Sequence, residues 1–242
     1  MKPSARMIRV ATIAGVLLPA VAFASDAPAR AGAQLPAGAL QLSLVLGAAS
    51  LLPAIVLACT CFARFVIVFS FLKSGLGTQG APPAQVLVGL ALFMTAFVMA
   101  PVAAEVQDRA MQPYFAGQID EAQALEAATP PLRTFLLRHT HEADLALFYE
   151  ASNAPRPRTA ADVPLRIAVP AFAVSELRTA FEMGLVVLLP FLVIDLLVAT
   201  VLSSLGMVML PPSVVSIPTK LLVFVAADGW HLVVKSLLRG VM

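Results

Sequence analysis

The sequence predicts an all-α membrane protein, with two long helical hairpins flanking a mostly helical, charged middle segment. Composition is the first reason, since 60% of the 242 residues are hydrophobic and only 12% are charged. Soluble domains are closer to half apolar and a quarter charged. Apolar runs long enough to cross a bilayer occur in both halves of the chain, and the one in the second half is interrupted by a single Asp. Most of the charges lie between those runs, where 105–182 holds eleven acidic and seven basic residues.

The first 24 residues have the three parts of a secretory signal peptide. Lys2, Arg6 and Arg9 form a positive start, and a twelve-residue apolar run, 10–21, follows. Ala22-Phe23-Ala24 then supplies the small-x-small pattern that precedes a cleavage site. A run of twelve is short for a bilayer crossing, although a short anchor that stays attached is the alternative.

We therefore expect cleavage between Ala24 and Ser25, which would place the new N-terminus outside the cytoplasm. N-terminal sequencing or intact mass measurement of the purified protein should find Ser25 as its first residue. A purified chain that begins at Met1 or Lys2 would contradict this prediction.

The first predicted hairpin covers 40–104 and follows a leader, 25–39, that is rich in Ala, Pro and Gly. Its two arms contain the uncharged runs 40–60 and 84–104. Three glycines and two prolines lie in 73–83, and this composition is typical of a turn. The segment 105–182 that follows is predicted to be a charged, helical, extracytoplasmic part of the protein.

The second predicted hairpin and the C-terminal tail cover 183–242. Its first arm is apolar from 184 to 205 except for Asp195, and a turn is predicted at 206–212. Its second arm is weak, because Lys220 and Asp228 bracket only seven apolar residues. A charge in mid-membrane costs about 2.5–3.5 kcal/mol, so we expect protein rather than lipid to surround this arm.

Asp195 and Lys220 are expected at similar depths in the second hairpin. Asp195 lies 11 residues before Gly206, or roughly 16 Å along a helix. Lys220 lies 8 residues after Pro212, or roughly 12 Å along the returning helix. The two could pair within the hairpin or between neighbouring subunits. The alternative is that Asp195 belongs to an ion pathway, since an ionisable group in an apolar run is a functional candidate.

Short catalytic and metal motifs are incomplete in this sequence. Ser70 and Lys73 match S-x-x-K, but the K-T-G and S-D-N elements that accompany it are absent. His141-Glu142 begins H-E-x-x-H, but Leu145 stands where the second histidine is needed. The sequence thus predicts no catalytic residue, cofactor or metal, and the absence of a basic block predicts no nucleic-acid partner.

Long blocks of the sequence resemble the FliP family of type III export-gate proteins, over about 42–238. The blocks are 170–185, 190–200 running on to Gly206-Met207, Leu210-Pro211-Pro212, Pro218-Thr219-Lys220-Leu221, Asp228-Gly229-Trp230, 60–85 and 144–148.

The resemblance implies a ring-forming export-gate subunit of the bacterial inner membrane and the flagellar basal body, and no enzyme. Family members form a pentamer that is completed by FliQ and FliR, much of it raised above the membrane. The implied partners also include other export-apparatus proteins, unfolded flagellar substrates and membrane lipid.

The resemblance also assigns roles to individual residues. Met207 and Met209 fall on a methionine-rich loop that forms a gasket at the pore constriction, although Val208 replaces the central methionine of the family. Structural roles are expected for five charged residues within the blocks: Asp195, Lys220, Asp228, Glu176 and Arg178.

Three other functions stay open at this point. One is the equivalent subunit of a virulence injectisome, which belongs to the same class. A second is an ion-coupled carrier with Asp195 and Asp228 as ion ligands, although carriers normally need more spans and broken helices. The third is a membrane serine hydrolase that uses Ser70 and Lys73.

Overall fold

The computed structural model describes residues 58–78, 80–153, 157–207 and 209–242, together with Gly47, Ser50 and Pro155. These described residues are helical with no strand, so the predicted all-α class is confirmed. The predicted signal peptide, its cleavage site at Ala24-Ser25, the leader and most of the run 40–57 lie outside them. The helices, in chain order, are α1 (Phe62–Leu76), α2 (Ala84–Val106), α3 (Gln112–Phe115), α4 (Glu121–Arg138), α5 (Glu142–Ser152), α6 (Leu165–Ser204), α7 (Ser213–Ala226) and α8 (Gly229–Arg239).

The chain divides into two compact units, and the larger one comprises Leu57–Ala104 and Leu132–Met242. Of the smaller unit, the main described part is Glu105–Pro131. It contains a π-helical turn, Gln107–Met111, followed by α3 and the first part of α4. Its surface is rich in carboxylates, and Arg109 pairs with Glu105 one helical turn away at 3.7 Å.

The core of the larger unit is the packing of α1 against α6. Phe65 and Phe69 on α1 are fully buried, as is Phe172 on α6. Gly184 lets the two helices approach closely, because a Cβ there would lie 2.4 Å from the ring of Phe71. Small residues at such crossings are typical of helix pairs in membranes, where association depends on close van der Waals contact.

The short helix α5 is attached to α6 by a polar link rather than by apolar packing alone. The Ser175 hydroxyl donates to the Asp144 carboxylate at 2.6 Å. The same hydroxyl accepts the backbone N–H of His141 at 2.9 Å. Because His141 is the residue that precedes α5, this link holds the N-terminal end of α5 on the long helix.

Among the described residues, two helical stretches are long and apolar enough to cross a membrane, Ala84–Phe115 and Leu165–Ser204. A third candidate is the pair α7 and α8, which is bent by 65° at the break between them. The forty residues of α6 measure roughly 60 Å at 1.5 Å per residue, about twice a ~30 Å hydrocarbon core. The helix also runs through 182/183, where the sequence predicts a boundary between the charged segment and the second hairpin.

Candidate functional site

A buried ion pair joins α1 to α6 near the charged end of the long helix. The Arg64 Nε donates to Glu176 Oε2 at 2.9 Å, and its Nη2 bonds the second carboxylate oxygen. The two side chains are 3% and 2% exposed. A two-pronged contact of this kind matches the planar guanidinium to the carboxylate and fixes the geometry of both groups. Since 112 residues separate the partners, the pair also fixes which faces of the two helices meet.

Three nitrogen-bearing side chains converge on the C-terminal end of α8, and we call this set the α8 clasp. The acceptors belong to the three residues that follow the helix, where the negative end of the helix dipole favours positive charge. The contacts are Arg64 Nη1 to the Gly240 carbonyl at 2.7 Å, Arg138 Nη2 to the Met242 carbonyl at 2.6 Å, and His139 Nε2 to the Val241 carbonyl at 2.9 Å. The clasp therefore ties α8 to α1 and to the end of α4.

His139 has a carbonyl oxygen beside each of its ring nitrogens. Its Nδ1 lies 2.8 Å from the carbonyl of Phe135, opposite the Nε2 contact to Val241. A carbonyl oxygen can only accept, so both contacts are hydrogen bonds only when both ring nitrogens carry hydrogen. Whichever ring nitrogen carries the hydrogen, the side chain lies between the end of α4 and the residues after α8.

The second ion pair joins three helices, about three turns along α6 from the turn that follows it. Lys220 on α7 donates to Asp195 Oδ2 on α6 at 2.6 Å and to the Gly75 carbonyl near the end of α1 at 2.9 Å. The Lys220 side chain is 5% exposed, whereas that of Asp195 is 42% exposed. The ammonium group is thus enclosed by protein, while one edge of the carboxylate still faces outward.

The turn after α6 presents its methionines at the surface. Gly206 adopts φ 74°, and two hydrogen bonds close the helix end, from Met207 N to the Leu202 carbonyl and from Gly206 N to the Ser203 carbonyl. This pattern is a Schellman motif, which stops a helix and redirects the chain. Beyond it Met207 is 45% exposed and Met209 is 99% exposed. Val208 lies outside the described residues.

Two of the predicted structural charges have different surroundings from the buried pairs. Arg178 forms an exposed pair with Glu182, one turn along α6 at 3.1 Å, and such surface pairs contribute little to stability. Asp228 lies at the break between α7 and α8 with φ 50°, a region that Asp enters more readily than most residues. Its carboxylate forms no ion pair with any described residue, and its left-handed backbone conformation lies at the 65° bend between the two helices.

The serine and histidine side chains considered above as catalytic or metal-binding groups have other hydrogen-bond partners. The Ser70 hydroxyl donates to the Val66 carbonyl of its own helix at 2.8 Å rather than to Lys73. His139 binds backbone carbonyls, whereas His141 Nε2 lies 3.3 Å from the Thr179 hydroxyl. Within the described residues, no group of three or more His, Cys, Asp or Glu side chains could hold a metal ion.

Sequence reasoning found Asp195 and Lys220 by counting residues from the turn, and the structure brings these two together. It did not find the α8 clasp. The clasp depends on residues far apart in the chain, and no local pattern around Arg138 or His139 signals it. Arg64 belongs to a block used for the family resemblance, but its pairing with Glu176 became visible only in the folded chain.

These features define a class of protein: a helical membrane protein whose longest apolar helix, α6, is joined to the shorter helices α1 and α7 by ion pairs. Comparison with known sequences identifies the group within this class. The FliP family profile matches residues 45–237. The chain belongs to the FliP family.

Individual relatives agree with this assignment. The flagellar biosynthetic protein FliP of Bacillus subtilis is 47% identical over 201 residues, covering 83% of this chain and 91% of the relative. The protein of the same name from Caulobacter vibrioides is 46% identical over 234 residues, covering 96% and 88%. That of Aquifex aeolicus is 39% identical over 203 residues, covering 83% and 85%.

Proposed function

We propose that this chain is a subunit of the flagellar type III protein export gate. In this role five copies of the chain form a ring. FliQ- and FliR-type subunits complete the inner-membrane pore through which unfolded flagellar proteins pass. The names of the relatives support the flagellar system over a virulence injectisome. The proposed role is transport of protein, and it needs no cofactor.

The observation that carries this proposal is the apolar surface of α6 beyond Gly184. Eight large apolar side chains there are about half exposed or more: Leu185, Val186, Leu189, Leu192, Val193, Leu196, Leu197 and Val201. A contiguous apolar patch of this kind marks contact with lipid or with other protein. Successive residues of a helix are rotated by 100°. At that rotation the eight side chains cover a wide arc of α6, so more than one side of the helix is apolar.

The length of α6 favours protein as one of those contacts. Exposed large apolar side chains on α6 begin at Val174, Leu177 and Phe181 and continue to Val201, a span of roughly 40 Å at 1.5 Å per residue that exceeds a ~30 Å hydrocarbon core. Other subunits in a ring would cover apolar surface that lies beyond the hydrocarbon core, and this arrangement agrees with an assembly raised above the membrane. A ring would also bring the turn after α6 of every copy to the same axis, because each subunit is related to the next by rotation.

The exposed methionines of that turn suit a gasket in such a ring. Apolar side chains that meet at a narrow constriction exclude water and ions by dewetting. Methionine is unbranched and flexible, so it can also swing aside and repack around an unfolded chain of any sequence. In this proposal Met207 and Met209 close the resting pore and yield to the substrate.

Replacing both residues, Met207→Ala/Met209→Ala, is expected to leave assembly intact and to make the membrane leaky to small ions. The physical reason is that alanine is too short to fill the constriction. Conductance should be measured in cells that express the variant with its partner subunits. Met111→Ala is a matched control, because Met111 is 48% exposed but lies far from the turn in sequence. Unchanged conductance in the double variant would argue that the methionines only pack the turn.

The proposed function as a whole is tested by deletion of the gene and return of the wild-type copy. Deletion should abolish motility and secretion of flagellin into the medium, and the returned copy should restore both. Normal flagellin secretion in the deletion strain would contradict the proposal. Loss of a virulence effector from the medium with motility intact would assign the chain to an injectisome instead.

A further inference from the structure

The stretch 196–219, which ends α6, forms the turn and begins α7, carries no charge, and we call it the neutral tip. It contains no Asp, Glu, Lys, Arg or His. The charged residues that flank it are Asp195 and Lys220, and these two pair with each other at 2.6 Å. The charges nearest to the neutral tip in the chain therefore balance one another.

Two large apolar side chains extend the exposed surface of the neutral tip beyond its methionines. Leu205, directly after the last residue of α6, is 67% exposed. Val214, in the first turn of α7, is 59% exposed. Because Leu205 precedes Met207 and Val214 follows Met209, the exposed apolar surface begins at the end of α6, passes through the turn and continues onto α7.

The hydroxyl groups of the neutral tip add little polarity to this surface. A hydroxyl that donates to a carbonyl of its own helix uses its hydrogen there rather than on a passing molecule. Three hydroxyls do so at 2.8–2.9 Å, and Ser216 is buried. The exposed hydroxyls of Ser203 and Ser213 are small and uncharged. The three internal bonds run from Thr200 to the Leu197 carbonyl, from Ser204 to the Val201 carbonyl and from Thr219 to the Val215 carbonyl.

From these observations we propose that Leu205 and Val214 form an apolar collar beside the methionine gasket, and that this collar passes unfolded segments of either charge. The inference rests on the export function proposed above and adds the class of substrate segment that the pore accepts. In a ring of five copies, a single charge in the tip would be repeated five times around the axis. Rings of like charge select what passes by its sign. A collar without charge makes no such selection, so acidic and basic segments pass alike.

Val214→Lys and Val214→Glu test the collar by adding a ring of positive or negative charge. The assay measures secretion of two flagellin reporters of equal length, one with an acidic unfolded tail and one with a basic tail, from cells in which each variant replaces the native gene. We expect the wild-type protein to secrete both. Val214→Lys should lower the basic reporter relative to the acidic one, and Val214→Glu should do the reverse. Two like charges about 4 Å apart in water repel enough for about a fivefold change, so the secretion ratio should shift by about fivefold or more.

Ala143→Lys is the matched control, because it adds the same charge at an exposed position of α5 and should leave the ratio unchanged. Assembly of each variant should be checked as the fraction of protein that elutes with its partner subunits. If Val214→Lys does not assemble, Val214→Cys in a Cys59→Ala/Cys61→Ala background allows the charge to be added afterwards. Positively and negatively charged methanethiosulfonates should then make the conductance of the assembled pore in planar bilayers anion-selective and cation-selective, respectively.

The outcomes separate failure of the collar from failure of the export function. Secretion of only one reporter by the wild-type protein would overturn the collar proposal. An unchanged ratio in both charged variants would overturn it as well, and so would a pore whose ion selectivity does not follow the sign of the thiol reagent. Absence of both reporters from the medium of wild-type cells would instead contradict the proposed export function.

Discussion

Glu176→Ala is expected to lower the free energy of unfolding by about 3–5 kcal/mol, the range for removing one partner of a buried ion pair. The variant leaves the Arg64 guanidinium at 3% exposure with no carboxylate to balance its charge. The cost of an unpaired buried charge exceeds the value of the lost hydrogen bonds. Unfolding of the purified protein in mixed detergent micelles measures the difference.

Glu182→Ala is the matched control for this change. It removes the same group from the same helix, but Glu182 is 62% exposed and its partner among the described residues is the exposed Arg178. A surface pair one turn apart on a helix contributes about 0.3–0.5 kcal/mol. The double variant Arg64→Met/Glu176→Leu should recover part of the stability, because apolar replacement of a whole buried pair is often neutral, while the Arg64 contact to the Gly240 carbonyl is still lost. Equal effects of Glu176→Ala and Glu182→Ala would contradict the buried-pair interpretation.

Asp195→Ala is expected to reduce the yield of assembled protein and to cost about 3 kcal/mol, the lower end of the same range. The lower value follows from the 42% exposure of the Asp195 side chain and from the Gly75 carbonyl, which still accepts from Lys220. Yield should be measured as the fraction of protein that elutes as the full assembly with its partner subunits. Flagellin secretion by the same cells gives the second measurement.

Asp195→Asn/Lys220→Gln is the companion variant, and it separates a structural role from an ionic one. Two neutral amides of similar shape can still hydrogen-bond, so this variant should recover part of the assembly lost in Asp195→Ala. A protein that assembles normally with Asp195→Ala but no longer supports export would favour the ion-pathway alternative. In that case the exposed part of the Asp195 carboxylate would be the part that contacts the ion.

Local patterns were informative where one stretch of chain controls the outcome. The apolar runs predicted helices, and the Gly-Pro-rich segment after α1 and the turn after α6 were found from composition and spacing. The relation between Asp195 and Lys220 could also be estimated, because both residues are counted from one turn and helices rise by a constant 1.5 Å per residue. Family membership could be predicted for a similar reason, since its blocks are continuous stretches of sequence.

The charged segment was harder to place, because composition averages over a window. Arg166, Glu176 and Arg178 gave the start of α6 the character of a water-facing segment, whereas the helix continues without a break from Leu165 to Ser204. A change in hydrophobicity along the sequence can be read from composition, but it does not show whether the backbone helix continues across that change. The predicted boundary at 182/183 thus falls inside one continuous helix.

By itself the sequence determined that this protein is helical, apolar and a member of the FliP family, because those properties follow from residues that are close together in the chain. Only the tertiary structure decided that Arg64 meets Glu176 across 112 residues, that α1 packs on α6, and that Arg64, Arg138 and His139 converge on the end of α8. Each of these contacts depends on the crossing angle and register of helices, which small residues and complete side-chain packing set together. An unpaired buried charge costs several kcal/mol, so the fold depends on each of these buried charges meeting its partner. The sequence around one charged residue does not reveal which distant residue that partner is.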